Sequence, residues 1–234
     1  MITGCSRRKS GLAPQSRRAA AGPPKIRFAG KIPGRHPRVD RERFSGLPIV
    51  AVGHSLFGHV ALAHLARNPE AAVDGLVLIA ANVWSRRWDG DPARLLKKRI
   101  ALEAMAALTH FWGYFPSRGL RIGPCDEPAE YVAQTVGFLR HGWSVRDAFS
   151  YADAAERLRR PLLAITAGDR LFCPPDCARR FGGMVAGTEH FTAGRSSEMD
   201  FNPGHMALVL DERCRPIWQR IAEFILARAN DAFA

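Results

Sequence analysis

No run of apolar residues in this sequence comes near the about 20 needed to cross a bilayer as a helix; segments such as Gly75-Leu-Val-Leu-Ile-Ala-Ala81 stop well short. A soluble protein is expected. Paired cysteines are lacking as well. The five present, at 5, 125, 173, 177 and 214, are an odd number with no repeated C-x-x-C, which argues against a disulfide framework and for free thiols in a reducing cytoplasm. Cys173 and Cys177 flank Pro174-Pro175, yet no His/Cys/Asp cluster has the spacing of a metal site, and no glycine-rich phosphate loop occurs. No metal and no cofactor is therefore expected.

Acidic residues are also missing from the start of the chain, where none precedes Asp40. Residues 1–45 hold 12 Lys/Arg against 2 Asp/Glu, a net of +10 within a total of +12, so the remaining 22 basic and 20 acidic residues nearly cancel. The charge belongs to one segment. That segment is rich in Arg, Ser, Gly, Pro and Ala and has no apolar periodicity to offset the entropy of ordering, so a disordered extension is expected. Sharper readings are an arm for nucleic acid or an organelle transit peptide. Arg7-Arg8 lacks the apolar stretch that a twin-arginine export signal needs, which leaves a cytoplasmic location.

From Leu47 the 234-residue chain becomes orderly, and its length suits one core. Short apolar strands are expected at 47–52, 75–81 and 162–167, with a weaker one near 188–192. Helices are expected over 56–67, 175–181 and 216–228, the last with Ile217, Ile221, Phe224 and Ile225 on one face. Continuous apolar strands alternating with helices imply an α/β protein, its mostly parallel sheet covered on both faces. Between the second and third strands lies an insertion of about residues 84–158 that reads as helical. Asp91-Pro92 starts one helix, on which leucines, Ile100 and Met105 recur until Gly113; Asp126 to Pro128 starts another, with Val132, Val136 and Leu139 on a stripe that ends at Gly142. Such a cap over a parallel sheet is expected to cover a ligand site. Its aromatic residues Trp88, Phe111, Trp112 and Tyr114 suit either an apolar pocket or the cap's own core.

The stretch Gly53-His54-Ser55-Leu56-Phe57-Gly58 leads from a strand through a serine into a helix, the layout of a nucleophile elbow, G-x-S-x-G. A sharp turn there lifts the hydroxyl off the sheet, and the helix N-terminus favours the charge that develops in acyl transfer. The second glycine is displaced: Phe57 stands in its place and Gly58 follows one residue late. Phe57 must therefore point away from the helix–strand crossing or distort it. Asp169, directly after the third strand, is placed to orient an imidazole, and His205, in the loop before the last helix, is placed as general base. His205 is preferred to His190 because of its loop position and the order Ser, acid, His.

With these segments on view, the chain resembles the α/β-hydrolase superfamily over about residues 46–230. "AVGHSL", "ITAGDRLFCPP" and "PGHMAL" look like its nucleophile, acid and histidine segments. "FWGYFPSRGLRIG" at 111–123 is similar to a stretch in a group of bacterial α/β hydrolases classed with serine aminopeptidase-like enzymes. The resemblance implies an α/β-hydrolase fold with a cap, the triad Ser55, Asp169 and His205, and a small ester or amide substrate. It also implies an oxyanion donor at the Leu56 N–H. In that superfamily four strands precede the elbow, so the fold is expected to be incomplete at its N-terminal side, with the strand at 47–52 left open along one edge. Two other readings are an inactive hydrolase-like remnant and a nucleic-acid-associated protein acting through residues 1–45; the near-neutral remainder of the chain speaks against the latter.

Overall fold

A computed structural model describes residues 47–121, 125–144, 149–168, 170–197 and 199–233, with side chains described to residue 230. The basic segment 1–45 lies outside the described residues. Four parallel strands form the main sheet in the order β1 (Val50–His54), β2 (Gly75–Ile79), β5 (Leu162–Thr166) and β6 (Glu189–Thr192). Val50 stands opposite Gly75, Leu76 opposite Leu162, and Leu163 opposite Glu189. Parallel neighbours need crossovers. Here α1 (Leu56–Arg67) joins β1 to β2, and α5 (Pro175–Gly182) joins β5 to β6.

Side chains alternate across a strand, so each apolar strand feeds two cores. Leu76, Leu78, Leu162 and Ala164 pack on one face with Leu62 and Leu65 of α1 and Phe181 of α5. Val77, Ile79, Leu163 and Ile165 pack on the other with Ile217 and Phe224 of α7 (Arg215–Phe233). Every residue of β2 and β5 is buried, which is why both read as unbroken apolar runs. Among the described residues β1 pairs with β2 alone, and Val52 beside α1's Leu56, Phe57 and Val60 is exposed.

The first strand starts later than expected, at Val50 rather than Leu47. Asp74 explains the shift: its carboxylate accepts from Ile49 N at 2.7 Å while its own N–H donates to Ile49 O at 2.7 Å, so a side chain takes the place of a ladder rung there.

The insertion holds α2 (Pro92–Trp112), α3 (Ala129–His141) and α4 (Tyr151–Ala155). Asp91 caps α2 as expected, its Oδ1 accepting from Ala93 N at 2.9 Å and Arg94 N at 3.1 Å. Gly113 ends it with φ 79°, a left-handed position that suits glycine. Two expectations need correction. The second helix begins after Pro128, because Glu127–Pro128 (β4) pairs antiparallel with Tyr114–Phe115 (β3), and the Asp126 carboxylate accepts from Arg118 N instead of capping a helix. The inward stripe of α2 runs through Lys98, Leu102 and Thr109, while Leu96 and Ile100 face outward. Among the described residues no helix is long and apolar enough to cross a membrane.

Candidate functional site

Ser55 sits at the turn between β1 and α1 with φ 53° and ψ −119°. A left-handed backbone at a residue bearing a β-carbon costs of order 1–3 kcal/mol and persists only where its surroundings enforce it. They do so here. Ser55 N donates to Ile79 O at 2.8 Å, pinning the turn to β2, and Gly58 N donates to Ser55 O at 3.1 Å, closing the first helical turn. The Ser55 side chain makes no capping bond to the helix, so its hydroxyl is not used in holding α1.

Phe57 is reconciled with this elbow by Gly58. A β-carbon on Gly58 would stand 2.5 Å from the Ala81 β-carbon, and one on Gly53 would stand 2.8 Å from the Gly58 Cα. The close crossing of helix and strand therefore falls on Gly53, Gly58 and Ala81. Phe57 turns outward, 55 % exposed, with its ring edge over Gly53. Its size is accommodated because the crossing has moved one residue along the helix.

The structure brings His205 to this elbow and leaves His190 elsewhere, exposed on β6. His54, immediately before Ser55, contacts the His205 ring at a centroid distance of 4.8 Å, and its Nε2 lies 3.0 Å from the His205 carbonyl oxygen. A carbonyl only accepts, so His54 carries its proton on Nε2. Burial pushes the His54 imidazole below its ordinary range, opposed by that bond to the carbonyl and reinforced by the neighbouring His205. Phe172, which follows β5, also packs on His205 at 5.6 Å between ring centroids. No hydrogen bond joins Ser55 Oγ to the His205 ring among the described residues; such contacts commonly tighten only when substrate binds. Leu56 begins α1 with its N–H at the helix N-terminus. Asp169, the expected acid, lies outside the described residues.

Trp84 ties the cap to this array. Its Nε1 donates to Phe172 O at 2.9 Å, and Lys98 of α2 sits 5.2 Å over its ring. Lys98 is fully buried and donates to Asp89 Oδ2 at 2.8 Å; the Arg94 guanidinium reaches the same carboxylate from Nε at 2.9 and 3.0 Å and also meets Asp176 of α5 at 2.7 Å. Burial would raise the Asp89 pKa, but the bonds from Arg94 and Lys98 outweigh it and hold the group at about 2. The Asp89 cluster thus ties the start of the cap together, and Arg94 extends it to α5 through Asp176.

Sequence reading missed Lys98, because a lysine on an amphipathic helix counts as polar surface. It also missed His54 and Phe172 as ring neighbours of His205, and Trp84 as the partner of Phe172. Of the cap aromatics, Trp88 is core, edge-on to Trp143 and Phe181, whereas Phe111, Trp112 and Tyr114 are exposed and do not belong to the core. Cys173 and Cys177 are buried thiols, and burial pushes the Cys177 thiol up to about 11. Among the described residues no group of His, Cys, Asp and Glu is arranged to hold a metal.

No protein-family model matches the sequence, and no curated protein matches it. Solved structures do. The chain is similar to BpoC of Mycobacterium tuberculosis, described as a candidate non-heme bromoperoxidase, at 17 % identity and a TM-score of 0.51 over 80 % of this chain and 70 % of that one. It is similar to a second Mycobacterium tuberculosis protein at 17 % identity and a TM-score of 0.50, over 80 % and 68 % of the two chains.

Proposed function

We propose that this chain, whose fold is that of the α/β hydrolases, is a serine hydrolase that cleaves an ester or amide through an acyl-enzyme on Ser55. The observation that carries the reading is the enforced left-handed backbone of Ser55 at a strand-to-helix turn, with its hydroxyl left out of the helix cap. Structural rules alone give no reason to hold a serine in that conformation.

In this mechanism Ser55 Oγ attacks the substrate carbonyl while His205 takes the hydroxyl proton. Charge gathers on the carbonyl oxygen, and the Leu56 N–H, at the start of α1, donates to it with the helix dipole aligned in support. Collapse of the tetrahedral species breaks the bond to the alcohol or amine, which leaves with the proton from His205. Water then attacks the acyl group, again giving its proton to His205, and frees Ser55. Asp169 is assigned to holding the His205 ring. Leu56, Phe57, Phe172 and Met206 border Ser55 and His205 in sequence or by contact and are all exposed, which favours an apolar acyl group.

The test is intact-mass analysis after treatment with a fluorophosphonate. One adduct on the wild-type chain that is lost in Ser55→Ala supports the mechanism. No adduct on soluble, cooperatively folding protein overturns it and leaves an inactive chain with a hydrolase fold.

A further inference from the structure

Residues 54 and 205 are separated by 151 positions, yet a hydrogen bond and a ring contact join them. Ser55 is the next residue after His54, and its backbone is held by the β2 carbonyl of Ile79. The His205 loop, in contrast, runs from Ala193 to α6 (Ala207–Leu210) without a helix or strand among its described residues, held by bonds such as Arg195 N–H to Asn202 Oδ1 at 3.1 Å and joined to the elbow through His54. Something must set the position of the imidazole relative to the hydroxyl, because a misplacement of about 1 Å can cost on the order of 10²-fold in rate.

We infer that His54 is a positioning residue: its Nε2–H, bonded to the His205 carbonyl, fixes the backbone of the general base against the backbone of the nucleophile. The inference rests on the proposed roles of Ser55 and His205 and adds to them a residue that acts through His205. The geometry supports it in two ways. The bond ends on the main chain of His205, so it constrains the loop while leaving the His205 ring nitrogens to proton transfer. The two rings meet at 49° with centroids 4.8 Å apart, so the His54 ring, like that of Phe172 at 5.6 Å, also limits rotation of the His205 ring. His54 is neutral near pH 7, with burial as the main cause, so this support does not place a second positive charge beside His205 as the latter takes up a proton.

The chemistry at this position is therefore specific. Phenylalanine would keep a ring but lose the donor. Glutamine would lose the ring yet carry an amide N–H to about the place of Nε2.

The experiment measures the fluorophosphonate labelling of Ser55 by intact mass, at several probe concentrations, for wild type, His54→Phe and His54→Gln, each with a thermal melt. The limiting labelling rate of His54→Phe is expected to fall about tenfold, with the probe concentration at half-saturation unchanged, and His54→Gln is expected to recover most of it. Equal labelling of His54→Phe and wild type, with unchanged melts, refutes the positioning role and leaves the hydrolase reading intact. Equal loss in both variants refutes it too, because ring packing rather than the donor would then matter. A wild-type chain that takes no label overturns both readings together. Should His54→Phe fail to fold, nitrogen-15 histidine spectra of the wild type decide. A proton on Nε2 of His54 is the expected result; a proton on Nδ1 alone would leave the His205 carbonyl without its donor and refute the role.

Discussion

Replacing Asp89 by Asn tests whether buried ions hold the start of the cap together. The wild-type carboxylate is 2 % exposed and accepts from Lys98 Nζ at 2.8 Å and from Arg94 Nε at 2.9 and 3.0 Å. Its pKa of about 2, against an ordinary 3.8, corresponds to about 2 kcal/mol of stability at neutral pH. Because the folded value lies below the unfolded one, that stability is complete above pH 3.8 and is lost as pH falls towards 2. The substitution should cost more than this, about 3–5 kcal/mol, since it leaves the fully buried Lys98 ammonium without a counter-charge. Against the 5–15 kcal/mol of an ordinary domain this is a large fraction. Urea melts at pH 7 of Asp89→Asn, Lys98→Met and the double variant form the assay. Lys98→Met removes the charge that Asp89→Asn strands, so the double variant is expected to be clearly more stable than the sum of the two losses. Additive losses, or an Asp89→Asn loss below about 1 kcal/mol, would refute the picture of a dry, mutually dependent pair.

Two further outcomes follow from the elbow. Gly58→Ala sets a β-carbon 2.5 Å from that of Ala81 and is expected to destabilise by about 1–3 kcal/mol in a urea melt, whereas Phe57→Ala, at an exposed position, should stay within about 1 kcal/mol; the reverse order would place the crossing at residue 57 after all. His59 on α1 has its pKa pushed down from 6.5 to about 4 by burial, so the folded state binds fewer protons than the unfolded chain between those values. Stability should fall by about 3 kcal/mol as pH drops from 6.5 to 4, and His59→Phe should flatten that slope in melts across the range.

Much of the frame was legible because it depends on local rules. α1 occupies the predicted residues, from a serine turn to Asn68-Pro69, and α2 starts where Asp91-Pro92 said it would, since a capping carboxylate and a proline at the first turn are local signals. The strands β2 and β5 were legible because burial on both faces leaves only apolar residues. What escaped depends on partners far along the chain. Lys98 faces inward because the Asp89 carboxylate meets it there, and no periodicity reveals a buried charge. Asp74 shortened β1 from 25 residues away. β3 and β4 are two residues each, too short for any pattern, and are made by their pairing. For the candidate site, Ser55 and His205 were marked by motif, and of the two outcomes open to Phe57, turning away or distorting the crossing, the first is found. The role of His54 was hidden because the bond it makes runs to a backbone carbonyl, which every residue has.

The link between His54 and His205 spans most of the folded chain, and contacts of such separation are the last to be rewarded when a polypeptide collapses, because closing the loop costs entropy before anything is gained. The elbow is made by β1, α1 and β2, whereas His205 follows β6 in the chain and is expected to reach the elbow only after β5 and β6 have joined the sheet. During refolding, competence to label Ser55 is therefore expected to lag behind the recovery of helical signal. The labelled fraction then serves as a clock for the final closure of the molecule.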